Sequence, residues 1–392
     1  MTTHNLLQYT IMQGIGWMCL VVAVVGLIYT LAAARCVKHF FRHAGAAPSN
    51  FPPVSILKPL HGDEIGLRAN LEALCELDYP GELEIICGVQ DPHDPAIAQV
   101  KRLQADYPDL RISLVVDAQE HGTNRKISNV INIMHAARHD VLVLSDSDIG
   151  INRDYLQCIV AELVKPGIGI VTCLYRGHAH PGFWSRLGSM AIDYNFLPSV
   201  IFGMKIGLAK PCFGSTMALQ RSTLERIGGF EAFANHLADD NAIGEAVRAI
   251  GLKIAVPAML VTHACAESRL SDLITHEIRW SRTIRQIAGP GFGGSVITHP
   301  LPFALAGVLA LDASRLSVAI AVATIIARLY LRRHVNLVVG EAAGASRWWL
   351  LPIRDTLSFV VFCASFFVGT VTWRGRQFTV RADGMMSPVE EI

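Results

Sequence analysis

Residues 141–148 read VLVLSDSD, and residues 84–91 read EIICGVQD. Each stretch is a short apolar run, rich in branched side chains, that ends in aspartate. This is the pattern of a buried strand that leads into a polar loop. Short apolar runs of this kind predict five strands: Val54–Leu57, Glu84–Val89, Ile112–Val116, Val141–Ser145 and Gly169–Thr172.

Helical patterns lie between these predicted strands. Apolar residues recur at spacings of three and four within Leu67–Leu77, Ala96–Ala105 and Lys126–Ala137. Alternation of strand and helix predicts an α/β fold with a doubly wound, mostly parallel sheet. Ligands of such sheets bind beyond the carboxyl ends of the strands, so the residues that follow each strand are the first place to look for a site.

The composition excludes some classes of protein. The chain of 392 residues is 51% hydrophobic and 17% charged, which is too apolar for a purely soluble protein. Its formal net charge of +1 provides no field that would attract nucleic acid, so no nucleic-acid partner is expected. The nine cysteines form no C-x-x-C pair and are interpreted as reduced thiols in a cytosolic environment.

The N-terminal region contains a predicted membrane span. The run Ile11–Ala34 carries no charge and is long enough to cross a bilayer as a helix. A cleaved signal peptide is the alternative, but the basic residues Arg35, Lys38 and Arg42 follow the run and none precedes it, which is the wrong polarity for a signal. The same basic residues predict that the following segment is cytosolic.

Apolar runs return after Pro290. Leu301–Leu311 and Leu316–Leu331 are short for full spans and predict either a hairpin in the membrane or one helix interrupted around Asp312. Leu357–Thr372 is a further span candidate, and the basic residues behind it, Arg374, Arg376 and Arg381, favour a cytosolic C-terminus.

These patterns predict four parts of the chain. They are an N-terminal transmembrane anchor at 1–40, a cytosolic α/β domain at 50–290, membrane-associated helices at 300–374 and a cytosolic tail at 375–392. The expected location is therefore the inner (cytoplasmic) membrane, in a multi-pass arrangement with the α/β domain in the cytosol.

Acidic residues follow two of the predicted strands. Asp91 follows the second strand, and Asp146 and Asp148 follow the fourth. Carboxylates two residues apart at the end of a buried strand suit a hard divalent cation, which would assist departure of a diphosphate. The alternative is that Asp-Ser-Asp forms only a turn and a helix cap.

Two weaker motifs lie further along the chain. Asp239 and Asp240 precede a helical pattern. They either cap the N-terminus of that helix or supply a general base. Arg279 and Trp280 offer a phosphate-binding guanidinium and an aromatic platform, although such a pair near a membrane is commonly an interfacial anchor.

The motifs, in this order, resemble those of the ceramide glucosyltransferase family (glycosyltransferase family 21) and its bacterial branch involved in hopanoid biosynthesis. The shared phrases are VSILKPLHG, VQDPHDPAI, NRKISNV, LSDSDI, FGSTMALQR, LADD, HEIRWSR and WRGRQFTV. The resemblance covers nearly the whole chain. One departure is His276, which stands where the family pattern carries Gln or Arg.

The resemblance implies a nucleotide-sugar-binding fold of the GT-A type, a UDP-sugar donor, a divalent metal (Mg²⁺ or Mn²⁺) and inversion at the anomeric carbon. It also implies roles for particular residues, with the metal held by Asp146 and Asp148. The donor would be bound by Asp91, Asp146 and Lys126, the last of which could equally be a solvent-facing helix lysine. The catalytic residues would be Asp240 as base, Arg279 and Trp280.

Three functions remain open from the sequence. The favoured one is transfer of N-acetylglucosamine or glucose from a UDP-sugar to the hydroxyl of a membrane lipid, with a hopanoid polyol such as bacteriohopanetetrol expected first and ceramide second. A processive polysaccharide synthase shares the acids and the Arg-Trp pair, but the few membrane segments argue against a translocation channel. A transporter or structural membrane protein is the third, although the α/β block makes up most of the chain.

Overall fold

The structure is a computed structural model that describes residues 3–42, 50–340, 347–367, 371–373, 376–380 and 385–388. The chain divides into two compact units. The first, called the helical unit, comprises Met1–Arg42, Ala179–Ala209 and Glu267–Val368. The second, called the α/β unit, comprises His43–His178, Lys210–Ala266 and Gly369–Ile392.

The α/β unit is built on a seven-stranded sheet in the order β3-β2-β1-β4-β8-β6-β9. Its strands are β1 (Val54–Pro59), β2 (Leu83–Val89), β3 (Arg111–Val116), β4 (Val141–Leu144), β6 (Ile168–Val171), β8 (Met217–Gln220) and β9 (Lys253–Ala255). Its helices are α2 (Leu67–Cys75), α3 (Ala96–Asp106), α4 (Arg125–Met134), α5 (Tyr155–Leu163), α8 (Arg221–Arg226) and α9 (Asp239–Ala249).

The sheet confirms the predicted α/β class. Strands β1 to β4 are mutually parallel, and each of the five predicted strands forms within one or two residues of its expected ends. Strand β8 was not predicted, and it runs antiparallel to both β4 and β6. The carboxyl ends of β1, β2 and β4 therefore meet at one edge of the sheet, as expected for parallel neighbours.

Apolar side chains from strands and helices form the core of this unit. Ile86, Leu142 and Leu144 of the sheet pack with Ile127 of α4 and Val247 of α9, and all five are fully buried. The spacing of apolar residues on α4 and α9 places one face of each helix on the sheet. Burial of these apolar side chains is the main contribution to stability that holds the strand ends in place.

Two small sheets complete the α/β unit. The first has the order β5-β10-β7 and consists of β5 (Ile149–Gly150), β7 (Leu174–Ala179) and β10 (Leu260–Cys265). Strand β5 lies immediately after Asp148 and pairs with β10 through His263. The other sheet contains β11 (Val371–Trp373), β12 (Arg376–Val380) and β13 (Met386–Pro388), so part of the expected C-terminal tail is in strands.

The helical unit consists of helices from three stretches of the chain. They are α1 (Thr3–Phe40), α6 (Phe183–Ala191), α7 (Leu197–Lys205), α10 (Leu270–Ile287), α11 (Gly289–Gly294), α12 (Pro300–Ala310), α13 (Arg315–Val339) and α14 (Leu351–Ala364). A π-helical turn at Ile192–Phe196 joins α6 to α7.

Small residues allow the helices of this unit to approach closely. A β-carbon at Gly307 of α12 would lie 2.5 Å from the Leu20 side chain of α1. Ala23, Ala304 and Ala321 form a shared cluster of α1, α12 and α13. Helices α12 and α13 pack together across a short connection, so the 301–331 block is a helical hairpin and not one interrupted helix.

A buried ion pair joins two helices of the helical unit. Arg328 of α13 donates to both carboxylate oxygens of Asp355, at 2.7 and 2.5 Å, and to the carbonyl of Tyr194 in the π-helical turn at 3.0 Å. An isolated charge would be costly in so apolar a setting, so the pairing is a condition for its burial.

One helix in the described part of the chain, Leu7–Phe40, is long and apolar enough to cross a membrane. A second such span would exist if the bent pair Gly289–Thr298 and Pro300–Ala310, which meet at 60°, were counted as one. The expected span at Leu357–Thr372 was wrong, because α14 ends at Ala364 and Val371–Trp373 is a strand. Arg374 and Arg381, which supported a cytosolic C-terminus, lie outside the described residues.

Candidate active site

Asp91 and Asp146 lie at the same edge of the main sheet. Asp91 follows β2 and Asp146 follows β4, and β1 lies between these two parallel strands. Asp91 is exposed, and its Oδ1 accepts a hydrogen bond from the His93 amide at 2.8 Å. The strand ends therefore occupy the predicted positions, with Asp91 two strands away from Asp146.

Lys126 joins the two acidic motifs of this unit. Its Nζ lies 2.7 Å from Asp146 Oδ1 and 3.2 Å from Asp239 Oδ2. Burial alone would lower the pKa of Lys126, but the charges of Asp146 and Asp239 raise it, so the lysine stays protonated. The solvent-facing alternative for Lys126 does not hold, because its side chain is only 15% exposed.

Asp240 lies in the first turn of α9 and is held by backbone amides. Its Oδ2 accepts a hydrogen bond from Gly214 at 2.9 Å, and its Oδ1 accepts one from Asn241 at 2.7 Å. Burial, followed by the charge of Asp239, raises the pKa of Asp240 to about 6. A carboxylate with this pKa is ionised at neutral pH yet more basic than an ordinary aspartate, as a general base requires.

Gly214 lies between the two acidic motifs and was not predicted. Its amide donates to Asp240, and a β-carbon at this position would lie 2.9 Å from both Asp146 Oδ2 and Lys126 Nζ. A side chain there would displace the Lys126–Asp146 pair. The FGS stretch thus belongs to the site, and its signal in the sequence was its place in the phrase FGSTMALQR, which carries the family resemblance.

Asp148 faces a histidine that was also not predicted. His263 Nε2 from β10 lies 3.1 Å from Asp148 Oδ2. Burial acts to raise the pKa of Asp148, but the charge and hydrogen bond of His263, together with the charge of Lys58, lower this pKa to about 2. Asp148 is therefore an anion throughout the physiological range.

The residues present fit a divalent cation only in part. Asp148 and His263 supply a carboxylate and an imidazole that meet, and Asp146 adds a second carboxylate from the same loop. Oxygen and imidazole donors of this kind suit Mn²⁺, and carboxylates suit Mg²⁺. Within the described ranges, however, no group of three or more His, Cys, Asp or Glu side chains is already gathered as a metal site. Asp146 instead pairs with Lys126.

Lys58 is a fully buried lysine in strand β1. Its Nζ donates to the backbone carbonyl of Asp146 and, at 3.3 Å, to Ser145 Oγ. Burial lowers the pKa of Lys58 to about 8, and the charge of Asp146 opposes that shift. Lys58 therefore fixes the end of β4 from inside the sheet. In the sequence it directly follows the predicted strand Val54–Leu57 and stands in the phrase VSILKPLHG.

The HEIRW motif lies on α10 of the helical unit. His276 Nδ1 is 2.8 Å from Glu267 Oε1, and the His276 ring meets Trp280 at a centroid distance of 4.5 Å. His276 and Arg279 line an open cavity of about 450 Å³, together with Ser271, Asp272 and Thr275. The structure thus gathers Lys126, Asp146, Asp239 and Asp240 in one unit and places Arg279 and Trp280 in the other.

Comparison with known proteins identifies relatives. The chain is 23% identical over 267 residues to ceramide glucosyltransferase 1 of Caenorhabditis elegans, covering 64% of this chain and 57% of that protein. It is 24% identical over 184 residues to β-monoglucosyldiacylglycerol synthase of Synechocystis, covering 46% of this chain and 37% of that protein. The chain thus spans about half the length of the curated relatives it matches.

A solved structure shares the fold. The mannosyltransferase PcManGT from Pyrobaculum calidifontis, in complex with GDP-Man and Mn²⁺, aligns over 90% of this chain and 99% of its own, with a TM-score of 0.51 and 20% identity. This likeness confirms the expected GT-A-type fold. The sequence model described as Glycosyl transferase family 21 matches residues 18–386. The predicted family is confirmed, and the hopanoid branch stays a prediction. The chain belongs to glycosyl transferase family 21.

Proposed function

We propose that this protein is a membrane-bound, inverting glycosyltransferase that moves a sugar from a UDP-sugar to the hydroxyl of a membrane lipid. The observation that carries the proposal is the joined acidic cluster, in which Lys126 links Asp146 to Asp239 while Gly214 holds Asp240. The cluster combines a carboxylate of raised pKa with charged groups at the sheet edge where nucleotide ligands bind.

Asp240 acts as the general base. Its carboxylate takes the proton of the acceptor hydroxyl as that oxygen forms a bond to the anomeric carbon of the sugar. The bond from the anomeric carbon to the diphosphate breaks, and its electron pair leaves with UDP. Attack on the face opposite the leaving group inverts the anomeric configuration. One displacement needs one base, and the two backbone hydrogen bonds hold Asp240 in a fixed orientation.

The donor is bound by residues at the strand ends. Asp91 contacts the uridine, while Asp146 and Lys126 lie at the diphosphate, whose negative charge Lys126 offsets. Asp146 and Asp148, with His263, would hold a divalent cation, which when bound neutralises charge on the leaving diphosphate. Lys58 fixes the loop that carries both aspartates.

Arg279 and Trp280 remain proposed catalytic residues on the basis of their motif. Arg279 provides a planar guanidinium that suits a phosphate, and Trp280 provides an aromatic surface. Both lie on helix α10 of the helical unit.

A membrane lipid is the acceptor. Helix α1 carries large apolar side chains that are more than half exposed, including Trp17, Met18, Val21 and Ile28, and such a surface suits lipid. The basic residues Arg35, Lys38 and Arg42, which follow the apolar run Ile11–Ala34, favour a position of the α/β unit at the cytosolic face of the inner membrane. In this proposal 1–40 is the anchor and the helices that begin at residue 300 are membrane-associated, so the acceptor reaches the catalytic residues from the bilayer.

The relatives are named ceramide glucosyltransferase and β-monoglucosyldiacylglycerol synthase, and both names refer to lipids that carry glucose. For this chain a hopanoid polyol such as bacteriohopanetetrol is the first choice and ceramide the second, with N-acetylglucosamine or glucose as the sugar. Each methylene of a lipid tail is worth about 0.8 kcal/mol in the membrane, so an acceptor approached in the bilayer avoids a large extraction cost.

The test uses purified full-length protein in nanodiscs with a UDP-sugar and one lipid at a time. Mass spectrometry should show one lipid gaining one hexose or N-acetylhexosamine, and Asp240→Asn should abolish that product. Glycosylation of a water-soluble oligosaccharide with no modified lipid would overturn the proposal and favour a polysaccharide synthase.

A further inference from the structure

Two of the polar contacts that hold helix α10 in the helical unit use adjacent residues of the helix. Arg354 of α14 donates to both carboxylate oxygens of Glu277, at 2.6 and 2.7 Å, and to the carbonyl of Leu187 on α6 at 3.3 Å. At the preceding residue of α10, His276 Nδ1 lies 2.8 Å from Glu267 Oε1. The rotation of α10 about its own axis is therefore fixed at two neighbouring positions.

Glu267 is itself seated against α6. A β-carbon at Gly188 would lie 2.9 Å from Glu267 Oε2, so the glycine leaves the space that the carboxylate fills. The Glu267 side chain is 9% exposed and the His276 side chain 25%. Gly188 follows Leu187 directly, so consecutive residues of α6 support the Glu277 and His276 contacts of α10. A nearly buried carboxylate bonded to one ring nitrogen restricts the rotation of an imidazole.

The imidazole in turn contacts Trp280. The two rings meet edge to face, with centroids 4.5 Å apart and planes at 69°. Residues four apart lie on the same face of a helix, so His276 lies one turn before Trp280 on the same face of α10. Aromatic rings prefer edge-to-face contact to a face-to-face sandwich, so the histidine ring favours one orientation of the indole.

We propose that Glu267 and His276 are positioning residues that fix the orientation of the Trp280 ring beside Arg279. The inference rests on the proposed function, since Trp280 is a proposed catalytic residue there. Glu267 orients His276, His276 orients Trp280, and the Glu277–Arg354 pair keeps the helix from turning. His276 orients the Trp280 ring because it combines an aromatic contact with a hydrogen bond to Glu267. An aliphatic side chain would lack both, and a histidine without Glu267 would lack the hydrogen bond.

The test compares variants that remove one link at a time in the full-length protein in nanodiscs. Glu267→Ala and His276→Phe each should lower kcat for sugar transfer about 10- to 100-fold while KM for the donor changes less than about threefold. Glu267→Gln, which can still accept from Nδ1, should keep kcat within about threefold of wild type. A matched control is His334→Phe on α13. The ring centroids of His334 and Tyr330, also four residues apart, are separated by 4.2 Å, and this substitution should leave kcat within about twofold of wild type.

A double-mutant cycle separates positioning from general loss of structure. If His276 acts through Trp280, His276→Phe should add no more than about twofold to the loss caused by Trp280→Phe. Fully multiplied losses, or a kcat within about twofold of wild type in both His276→Phe and Glu267→Ala, would overturn the inference. Absence of sugar transfer by the wild-type protein to every lipid tested would instead contradict the proposed function itself.

Discussion

The pH dependence of transfer tests the role of Asp240 through its neighbours. Burial and the Asp239 charge raise the pKa of Asp240 to about 6, and Lys126 opposes that shift. The base must be unprotonated, so kcat/KM should fall as pH drops through about 6, reaching about one tenth at one pH unit below the pKa.

Two substitutions should move this acid limb in opposite directions. Asp239→Asn removes a negative charge that raises the pKa of Asp240, so the limb should shift to lower pH. Lys126→Met removes a positive charge that lowers it, so the limb should shift to higher pH. At an effective dielectric constant near 20, a unit charge on a neighbouring residue changes the free energy of ionising Asp240 by roughly 1–2 kcal/mol. This corresponds to a shift of about one pH unit in the acid limb.

The assay is kcat/KM for the lipid acceptor at fixed, saturating donor between about pH 5 and about pH 8, where an aspartate of this kind titrates. Glu245→Gln, an exposed acid on the same helix α9, is the matched control and should leave the limb unchanged. Identical limbs in wild type, Asp239→Asn and Lys126→Met would refute Asp240 as the base.

Further predictions concern the groups around Asp240. Asp146→Ala and Asp148→Ala should each abolish transfer in a metal-replete assay while circular dichroism stays that of the wild type, and full activity in chelator-treated protein would contradict the metal role. Gly214→Ala should lower kcat by about tenfold or more, because its β-carbon would lie 2.9 Å from Asp146 and Lys126, whereas Gly167→Ala, at an exposed turn, should affect stability alone. Lys58→Met should lower activity through the displaced Asp146 loop and destabilise the fold by about 1–3 kcal/mol, measured as a lower unfolding midpoint, since the Asp146 carbonyl loses its buried donor.

The regular strands of the α/β unit were predictable from sequence because their burial leaves a direct pattern. Apolar runs such as EIICGV are typical of strands buried in a parallel sheet. The aspartates that follow two of these runs mark where the strands leave the sheet. Strand β8 was missed because MALQ contains no β-branched or aromatic side chain, and its antiparallel direction depends on partners distant in sequence.

The site was predictable where one local motif carried it. Asp146, Asp148 and Asp240 stand out as acids beside regular elements, but Gly214 and His263 enter through long-range contacts that no spacing displays. The error at Leu357–Thr372 has a local cause. Hydropathy favours a continuous helix there, whereas the Val-Thr-Trp sequence at 371–373 combines branched and aromatic side chains that favour a strand, and the structure forms one.

Comparative lipid mass spectrometry of membranes tests the central claim most directly. Cells that carry this gene should contain a glycolipid with one hexose or N-acetylhexosamine, and cells that lack the gene should lose that species and accumulate its unglycosylated lipid. Restoring the wild-type gene should restore the glycolipid, while the Asp240→Asn gene, expressed to the same level, should not. An unchanged lipid profile after loss of the gene, or full restoration by Asp240→Asn, would contradict the account.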